Sequence, residues 1–122
     1  MTPKPSFDVP NGAAANVHII DSGFRLSDMP TNFLLSPEMK RFERVPPVGS
    51  WSFLVESSTG RKVLFDLGGP SDVNSFAPSV ATAIEEVGVT VDEVKSVAEV
   101  LTENGIKLTD IDSVIWRYEF SL

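Results

Sequence analysis

The chain has 122 residues, 42% hydrophobic and 22% charged, which is the composition of one small globular domain. Its net charge of −7 disfavours a nucleic-acid or anionic-membrane partner, because phosphate binding needs clustered lysine and arginine. The chain contains no cysteine, which excludes disulfides, thiolate zinc sites and cysteine nucleophiles within these residues.

The first residues carry no hydrophobic stretch of the kind found in signal peptides. No apolar run along the chain approaches the roughly 18 residues that a membrane-spanning helix needs. The sequence therefore predicts a cytoplasmic protein without a membrane partner.

Most of the nine prolines fall within residues 1–47, so this part is expected to be extended and rich in loops. Residues 1–15 are predicted to form a flexible N-terminal segment. A first strand is expected over residues 17–22, ended by Gly23. Residues 33–35 are predicted to form a short edge strand, and residues 39–48 a loop.

The next stretch has the pattern of a β-hairpin. Apolar and polar positions alternate over residues 51–56, as in a strand with one buried face. Residues 57–60 are turn formers, and residues 62–67 return as a β-branched and apolar run. Gly68-Gly69-Pro70 is expected to end this second strand sharply.

The apolar spacing then becomes helical. Phe76, Val80, Ile84 and Val87 would share one helix face, with Pro78 in the first turn and Gly88 as the C-terminal cap. A second helix is predicted to begin with a capping box from Thr90 to Glu93 and to end at Gly105.

Residues 111–116 read as a final strand. Hairpin, helices and strand in this order predict a right-handed crossover that places the last strand parallel to residues 62–67. The segment 85–112 carries a net charge of −6 and is interpreted as a solvated acidic helix face. Its charged residues are Glu85, Glu86, Asp92, Glu93, Lys95, Glu99, Glu103, Lys107, Asp110 and Asp112.

Four pieces, in this order and spacing, resemble the N-terminal half of the metallo-β-lactamase-like hydrolases, most closely the lactonase-like branch. They are Val17-His18-Ile19-Ile20-Asp21-Ser22-Gly23, Trp51-Ser52-Phe53-Leu54-Val55, Val63-Leu64-Phe65-Asp66-Leu67-Gly68, and Asn104-Gly105-Ile106 leading into Ile111-Asp112-Ser113-Val114-Ile115. The resemblance implies an α/β fold, the N-terminal half of an αββα sandwich, over residues 16–116. It also implies zinc-dependent hydrolysis of lactones, esters or thioesters by full-length relatives.

In the resembling family a His-x-His-x-Asp-His zinc motif directly follows the strand that matches residues 113–116. Here residues 117–122 follow instead, and the chain has one histidine in total. We interpret residues 117–122 as an aberrant tail in place of the motif. Because Arg117-Tyr118-Glu119 can be encoded by a run that resembles the 5′ boundary of an intron, we attribute the tail to a disrupted gene model.

A catalytic zinc needs about three protein ligands and an open position for water. His18 has no second nitrogen or thiolate ligand to join it, so it is expected to be a half-buried strand residue with a hydrogen-bond partner. The sequence thus predicts no metal ligands, no cofactor and no catalytic residues in this chain. By resemblance, Asp66 would support the edge of the site; the alternative is that it caps the turn through the N–H of Gly68 or Gly69.

Other candidate groups have structural explanations. Asp72, Asp110 and Asp112 could bind a hard cation but lack the spacing of a calcium loop, and are expected to serve turns. Serine catalysis is disfavoured, because a serine needs a base and no Gly-x-Ser-x-Gly elbow is present; the serines considered are Ser22, Ser50 and Ser52. Trp51 and Trp116 could anchor a ligand, but core packing is the more frequent use of such residues.

Three interpretations of function remain open at this point. The chain is a truncated hydrolase-family protein that is inactive alone, an interaction module, or an unrelated small α/β domain. As an interaction module it would self-associate, or complement a partner, through the exposed face of a half-domain.

Overall fold

The computed structural model describes residues 2, 8, 10–37, 39–92 and 95–116. Within them a four-stranded sheet has the order β1-β4-β5-β7 and a small sheet the order β3-β2-β6. The strands are β1 Asn16–Ile20, β2 Arg25–Ser27, β3 Val48–Gly49, β4 Ser52–Glu56, β5 Lys62–Phe65, β6 Thr90–Val91 and β7 Ser113–Ile115. The helices are α1 Pro78–Val87 and α2 Val97–Glu103. This mixed architecture is consistent with part of an α/β sandwich.

The predicted hairpin and the predicted parallel pairing of the last strand are confirmed. Strands β4 and β5 pair antiparallel, with Leu54 opposite Leu64. Strand β7 pairs parallel to β5, with Phe65 opposite Ile115. The helical segment between β5 and β7 provides the connection that parallel strands require.

The main core lies between the four-stranded sheet and α2. Directly opposed residues in a sheet point to the same side, so Ile20, Leu54 and Leu64 face α2, where they pack against Val97 and Leu101. Among the described residues, α2 thus supplies the helical side of this cluster.

Local hydrogen bonds define the C-terminal end of α1 and the N-terminal end of α2. The predicted Gly88 cap is confirmed, since its positive φ of 77° lets its N–H reach the carbonyls of Ile84 and Glu85. Helix α2 begins with a capping box of Ser96 and Glu99, each of which accepts a hydrogen bond from the other's backbone N–H. Such a cap stabilises a helix by about 1 kcal/mol.

Two predicted elements are wrong. Residues 31–33 form a 3₁₀ turn rather than the start of an edge strand over 33–35. The helix predicted to begin at Thr90 begins after Ser96, because Thr90 and Val91 pair with β2 and close the small sheet. The predicted capping partner Glu93 lies outside the described residues.

The predictions for the two ends of the chain are not tested by the structure. Much of the segment 1–15 and all of the tail 117–122 lie outside the described residues, so the flexible segment and the aberrant tail stay predictions.

Helix α1 begins at Pro78, which places Phe76 before the helix rather than on it. Among the described residues, no helix is long and apolar enough to cross a membrane.

Candidate functional site at the sheet edge

One edge of the four-stranded sheet collects most of the sequence candidates. Strand β1 ends at Ile20, opposite Ser52 at the beginning of β4, and β5 and β7 end side by side at Phe65 and Ile115. The segments that follow β1, β5 and β7 therefore emerge together. The C-terminal edge of parallel strands is where α/β folds commonly place ligand sites.

Asp66 is the first residue after β5 at this edge. Its backbone N–H donates to the carbonyl oxygen of Ile115 at 2.8 Å, which extends the β5–β7 pairing by one residue. The side chain is buried, and the backbone adopts the left-handed conformation with φ 67°, which aspartate tolerates better than most residues. The structure thus places Asp66 where the resemblance predicts it, and its supporting role stays a prediction.

Two buried serines lie beside the turn that follows Asp66. Ser22 and Ser52 are 7% and 1% exposed, and their hydroxyls have no hydrogen-bond partner among the described residues. A Cβ built on Gly68 would lie 3.5 Å from the Ser22 Oγ and 3.6 Å from the Ser52 Oγ. The post-β5 turn therefore passes close to both hydroxyls, a juxtaposition that no sequence motif indicated.

A partly open pocket of about 460 Å³ adjoins this turn. Its walls include Gly69, Phe76, Val80, Val97 and Trp116, and no charged residue lines it among those described. The volume is in the range of small-molecule sites, and the lining favours an uncharged group.

A surface cluster of Asp21, Arg25 and Trp51 at this edge was not predicted from the sequence. The Asp21 carboxylate accepts hydrogen bonds from the Arg25 guanidinium at 2.9 and 3.2 Å and from the Gly23 N–H at 2.8 Å. The Arg25 hydrogen bond holds the pKa of Asp21 below its usual value, and the Gly23 bond adds to this effect. The spacing Asp21 to Arg25 was a visible signal, but it is a helical spacing and the chain here is not helical.

The expectation that both tryptophans pack in the core is wrong. Trp51 is 44% exposed and its ring lies under the Arg25 guanidinium, 5.0 Å from ring centroid to Cζ. Trp116 is 63% exposed and lines the pocket. Each tryptophan lies just outside a strand, at the sheet edge, where the core does not reach.

His18 is the middle residue of β1, and its partner Glu56 lies at the end of β4 that is farthest from Ser52. The prediction of a hydrogen-bond partner is confirmed, because Nε2 lies 3.1 Å from the Glu56 Oε2, but the side chain is 57% exposed rather than half-buried. Lys62 approaches the same carboxylate at 3.5 Å. His18 is thus engaged away from the buried hydroxyls of Ser22 and Ser52, which argues against a histidine–serine pair.

Replacing His18 by alanine is expected to raise the pKa of Glu56. The His18 hydrogen bond is the main cause that lowers this pKa below its ordinary value of 4.5, with a further contribution from Lys62. These interactions of the Glu56 carboxylate therefore stabilise the fold at pH values above 4.5, and their contribution is lost as the pH falls through the folded-state pKa. An NMR titration of the Glu56 carboxylate measures the shift. His18→Gln, which keeps a donor, is the control, and an unchanged pKa in His18→Ala contradicts the assignment.

The donor set does not fit a catalytic zinc ion. Among the described residues, no three His, Cys, Asp or Glu side chains lie close enough together to hold a metal. Asp72 accepts from the Asn74 N–H at 2.9 Å, and Asp112 from the Lys62 N–H at 2.7 Å, so both serve turns and strand starts as predicted. Asp110 lies in the 3₁₀ turn Leu108–Asp110 before β7.

Curated relatives match nearly the whole chain. The chain is 27% identical over 121 residues to gamma-lactamase FDB1 of Fusarium pseudograminearum, covering 95% of this chain and 29% of that protein. It is 32% identical over 122 residues to metallo-hydrolase mfmC of Annulohypoxylon moriforme, covering 95% of this chain and 31% of that protein. The chain thus spans about three-tenths of the length of these two relatives.

A third relative is named for a different activity. Cytochrome P450 monooxygenase mpaDE of Penicillium roqueforti is 30% identical over 113 residues, which cover 89% of this chain and 13% of that protein. Because the haem iron of a P450 is held by a cysteine thiolate and this chain has no cysteine, the match carries no haem site to this chain.

No protein-family model matches the chain, and no solved structure matches it. The chain belongs to the metallo-β-lactamase-like hydrolases and corresponds to the N-terminal part of such a protein.

Proposed function

We propose that these 122 residues form the N-terminal scaffold of a zinc-dependent hydrolase and do not catalyse hydrolysis by themselves. This proposal rests on a mismatch between the activities for which two relatives are named and the zinc ligands that this chain contains. The relatives are named as a lactamase and a metallo-hydrolase, whereas this chain has one histidine and no cysteine. A zinc ion that activates water needs about three protein ligands, so the ligands would come from outside these residues.

In the complete protein, Asp66 would support the metal site from the sheet edge. Its buried position and its link to Ile115 fix it beside the end of β7. The residues that follow β7 in the family carry the zinc motif, so a carboxylate here would orient them without binding the metal. The substrate class we propose for the complete protein is a cyclic ester or amide, or a thioester.

Zinc binding and hydrolysis by the purified chain test this proposal. After incubation with zinc and gel filtration, we expect substoichiometric metal and no metal-dependent turnover of γ-butyrolactone, a γ-lactam or a thioester. The gamma-lactamase relative, purified in the same way, is the positive control. Stoichiometric zinc with chelator-sensitive turnover by the 122-residue chain would contradict the proposal.

A second proposal concerns the side of the sheet that faces away from α2. We name this the apolar sheet face; its members are Val17, Ile19, Phe53, Val55, Val63, Phe65 and Ile115. Ile19 is 70% exposed, Val17 58% and Ile115 51%, and none of the seven carries a charge. A sheet with an apolar face is stable when that face is covered by another layer.

We propose that the isolated chain covers this face with a second copy of itself. The same apolar surface on both copies is self-complementary about a two-fold axis. The acidic residues of α2, Glu99 and Glu103, lie on the other side of the sheet, so the net negative charge does not oppose this contact. Complementation by a separate polypeptide is the alternative occupant.

Ile19→Lys is expected to weaken self-association by at least tenfold, because it places a charge on the apolar sheet face that a second copy would have to desolvate. Sedimentation at several concentrations measures the effect. Leu108→Lys is the matched control, since Leu108 is 50% exposed but lies in the turn before β7. A wild-type chain that stays monomeric, or an equal effect of both variants, contradicts the proposal.

A further inference from the structure

The chain contains two asparagine–glycine pairs that the fold holds differently. Asn11 and Gly12 lie on an exposed bend before β1, whereas Asn104 and Gly105 follow the last residue of α2. A Cβ built on either glycine would meet no atom within 4 Å, so neither pair is crowded by other parts of the chain. Because glycine has no side chain, its backbone nitrogen can approach the preceding side chain closely.

Hydrogen bonds distinguish the two pairs. In the second pair, the Gly105 N–H donates to the Thr102 carbonyl oxygen at 3.0 Å, and the Asn104 Nδ2 donates to the Val100 carbonyl oxygen at 2.8 Å. In the first pair, neither the glycine N–H nor the asparagine side chain makes a hydrogen bond among the described residues. The backbone nitrogen and the side-chain amide are therefore both engaged at the end of α2 and not in the bend before β1.

We propose that Asn11 is a site of spontaneous deamidation, and that the last turn of α2 protects Asn104 from the same reaction. The Gly12 nitrogen bonds to the Asn11 Cγ, and the side-chain NH₂ leaves as ammonia with the proton of the Gly12 N–H. Water then opens the cyclic imide to aspartate or isoaspartate, so the chain gains one negative charge. The reaction needs only water and is independent of zinc and of hydrolase activity.

Protection of Asn104 preserves the helix that packs on the core. A carboxylate at this position would lie at the C-terminal end of α2, where the helix dipole is negative. An ionised carboxylate also has no proton to donate to the Val100 carbonyl. Since α2 contributes Val97 and Leu101 to the core, the modification would weaken the contact between this helix and the sheet.

Peptide mapping of the whole chain after incubation in mildly alkaline buffer measures both reactions. Trypsin places Asn104 in the peptide 96–107 and Asn11 in the peptide that ends at Arg25, and fragmentation in a mass spectrometer follows the conversion at each position. In the folded chain we expect Asn11 to react roughly tenfold faster than Asn104 or more, because reaction at Asn104 requires two hydrogen bonds to open. In urea the two rates should become similar, since both residues precede glycine.

Equal rates in the folded chain would overturn the proposal. A difference that persists in urea would also overturn it, because the fold would then not be the cause. Asn104→Asp, which imitates the product, should raise the equilibrium constant of unfolding roughly fivefold or more. Asn11→Asp is the matched control and should leave this constant nearly unchanged. If the two variants were equally stable, the role of the Asn104 amide at the end of α2 would be contradicted.

Discussion

Replacing Leu54 by alanine is expected to lower the free energy of unfolding by about 2–5 kcal/mol, a large part of the stability of a small domain. Leu54 is 3% exposed on the central strand β4. Its neighbours in the core are Leu64 on β5 and Val97 and Leu101 on α2. Truncation leaves a cavity between the sheet and its helix, which the short α2 cannot close without losing its own contacts. Urea denaturation followed by circular dichroism measures the loss.

Leu108→Ala is the matched control for this prediction. Leu108 is 50% exposed in the 3₁₀ turn before β7, outside both the core and the apolar sheet face. Its truncation is expected to change the stability of the monomer by less than about 0.5 kcal/mol. Equal losses in the two variants would mean that the core is not where the structure places it.

Gly69→Ala is expected to destabilise the fold by about 3 kcal/mol or more, at the upper end of the cost of overpacking. A Cβ at Gly69 would overlap the ring of Phe24, which is only 6% exposed. The ring is held against this backbone and cannot move aside as a surface side chain would. The turn after β5 would therefore shift, and the edge that carries Asp66 would shift with it.

Gly12→Ala is the control for the glycine variant, because a Cβ at Gly12 meets no atom within 4 Å. The two proteins can be compared by thermal unfolding and by the near-ultraviolet circular dichroism of the aromatic residues. If Gly69→Ala were as stable as Gly12→Ala, the close packing of Phe24 on the turn would be contradicted.

The strand predictions succeeded where a pattern was local. Alternation over residues 51–56 and the apolar run from 62 to 67 produced a hairpin that the structure confirms as β4 and β5. The predicted helix ends at Gly88 and near Gly105 also hold, because glycine at a left-handed position is a local requirement. The order of these elements was enough to predict that β7 lies parallel to β5.

The failures share a physical cause, which is competition from partners distant in sequence. Thr90 and Val91 fit the pattern of a helix start, but they pair with Leu26 and Ser27 in the small sheet. The helix begins later in the chain, with Ser96 as its N-cap. Trp51 and Trp116 had apolar neighbours, yet the strands end next to them and leave both rings exposed. Helix-start signals and apolar neighbours describe preferences, and tertiary contacts override them.

The candidate site was predicted only in part. Asp66 was singled out by its position after a strand and before two glycines, and it lies at the sheet edge as expected. The two buried serines and the Asp21–Arg25–Trp51 cluster were not foreseen, because they depend on the register of β1 against β4. A one-residue slip in that register would turn each side chain to the other face.

By itself, the sequence determined the fold class, the hairpin, the crossover strand and the shortage of metal ligands, because each follows from local periodicity or from counting residue types. Only the tertiary structure decided which hydroxyls are buried together, where the histidine points and which face of the sheet the described residues leave exposed. Those features arise from strand register and packing between segments far apart in the chain, and local preferences do not encode them.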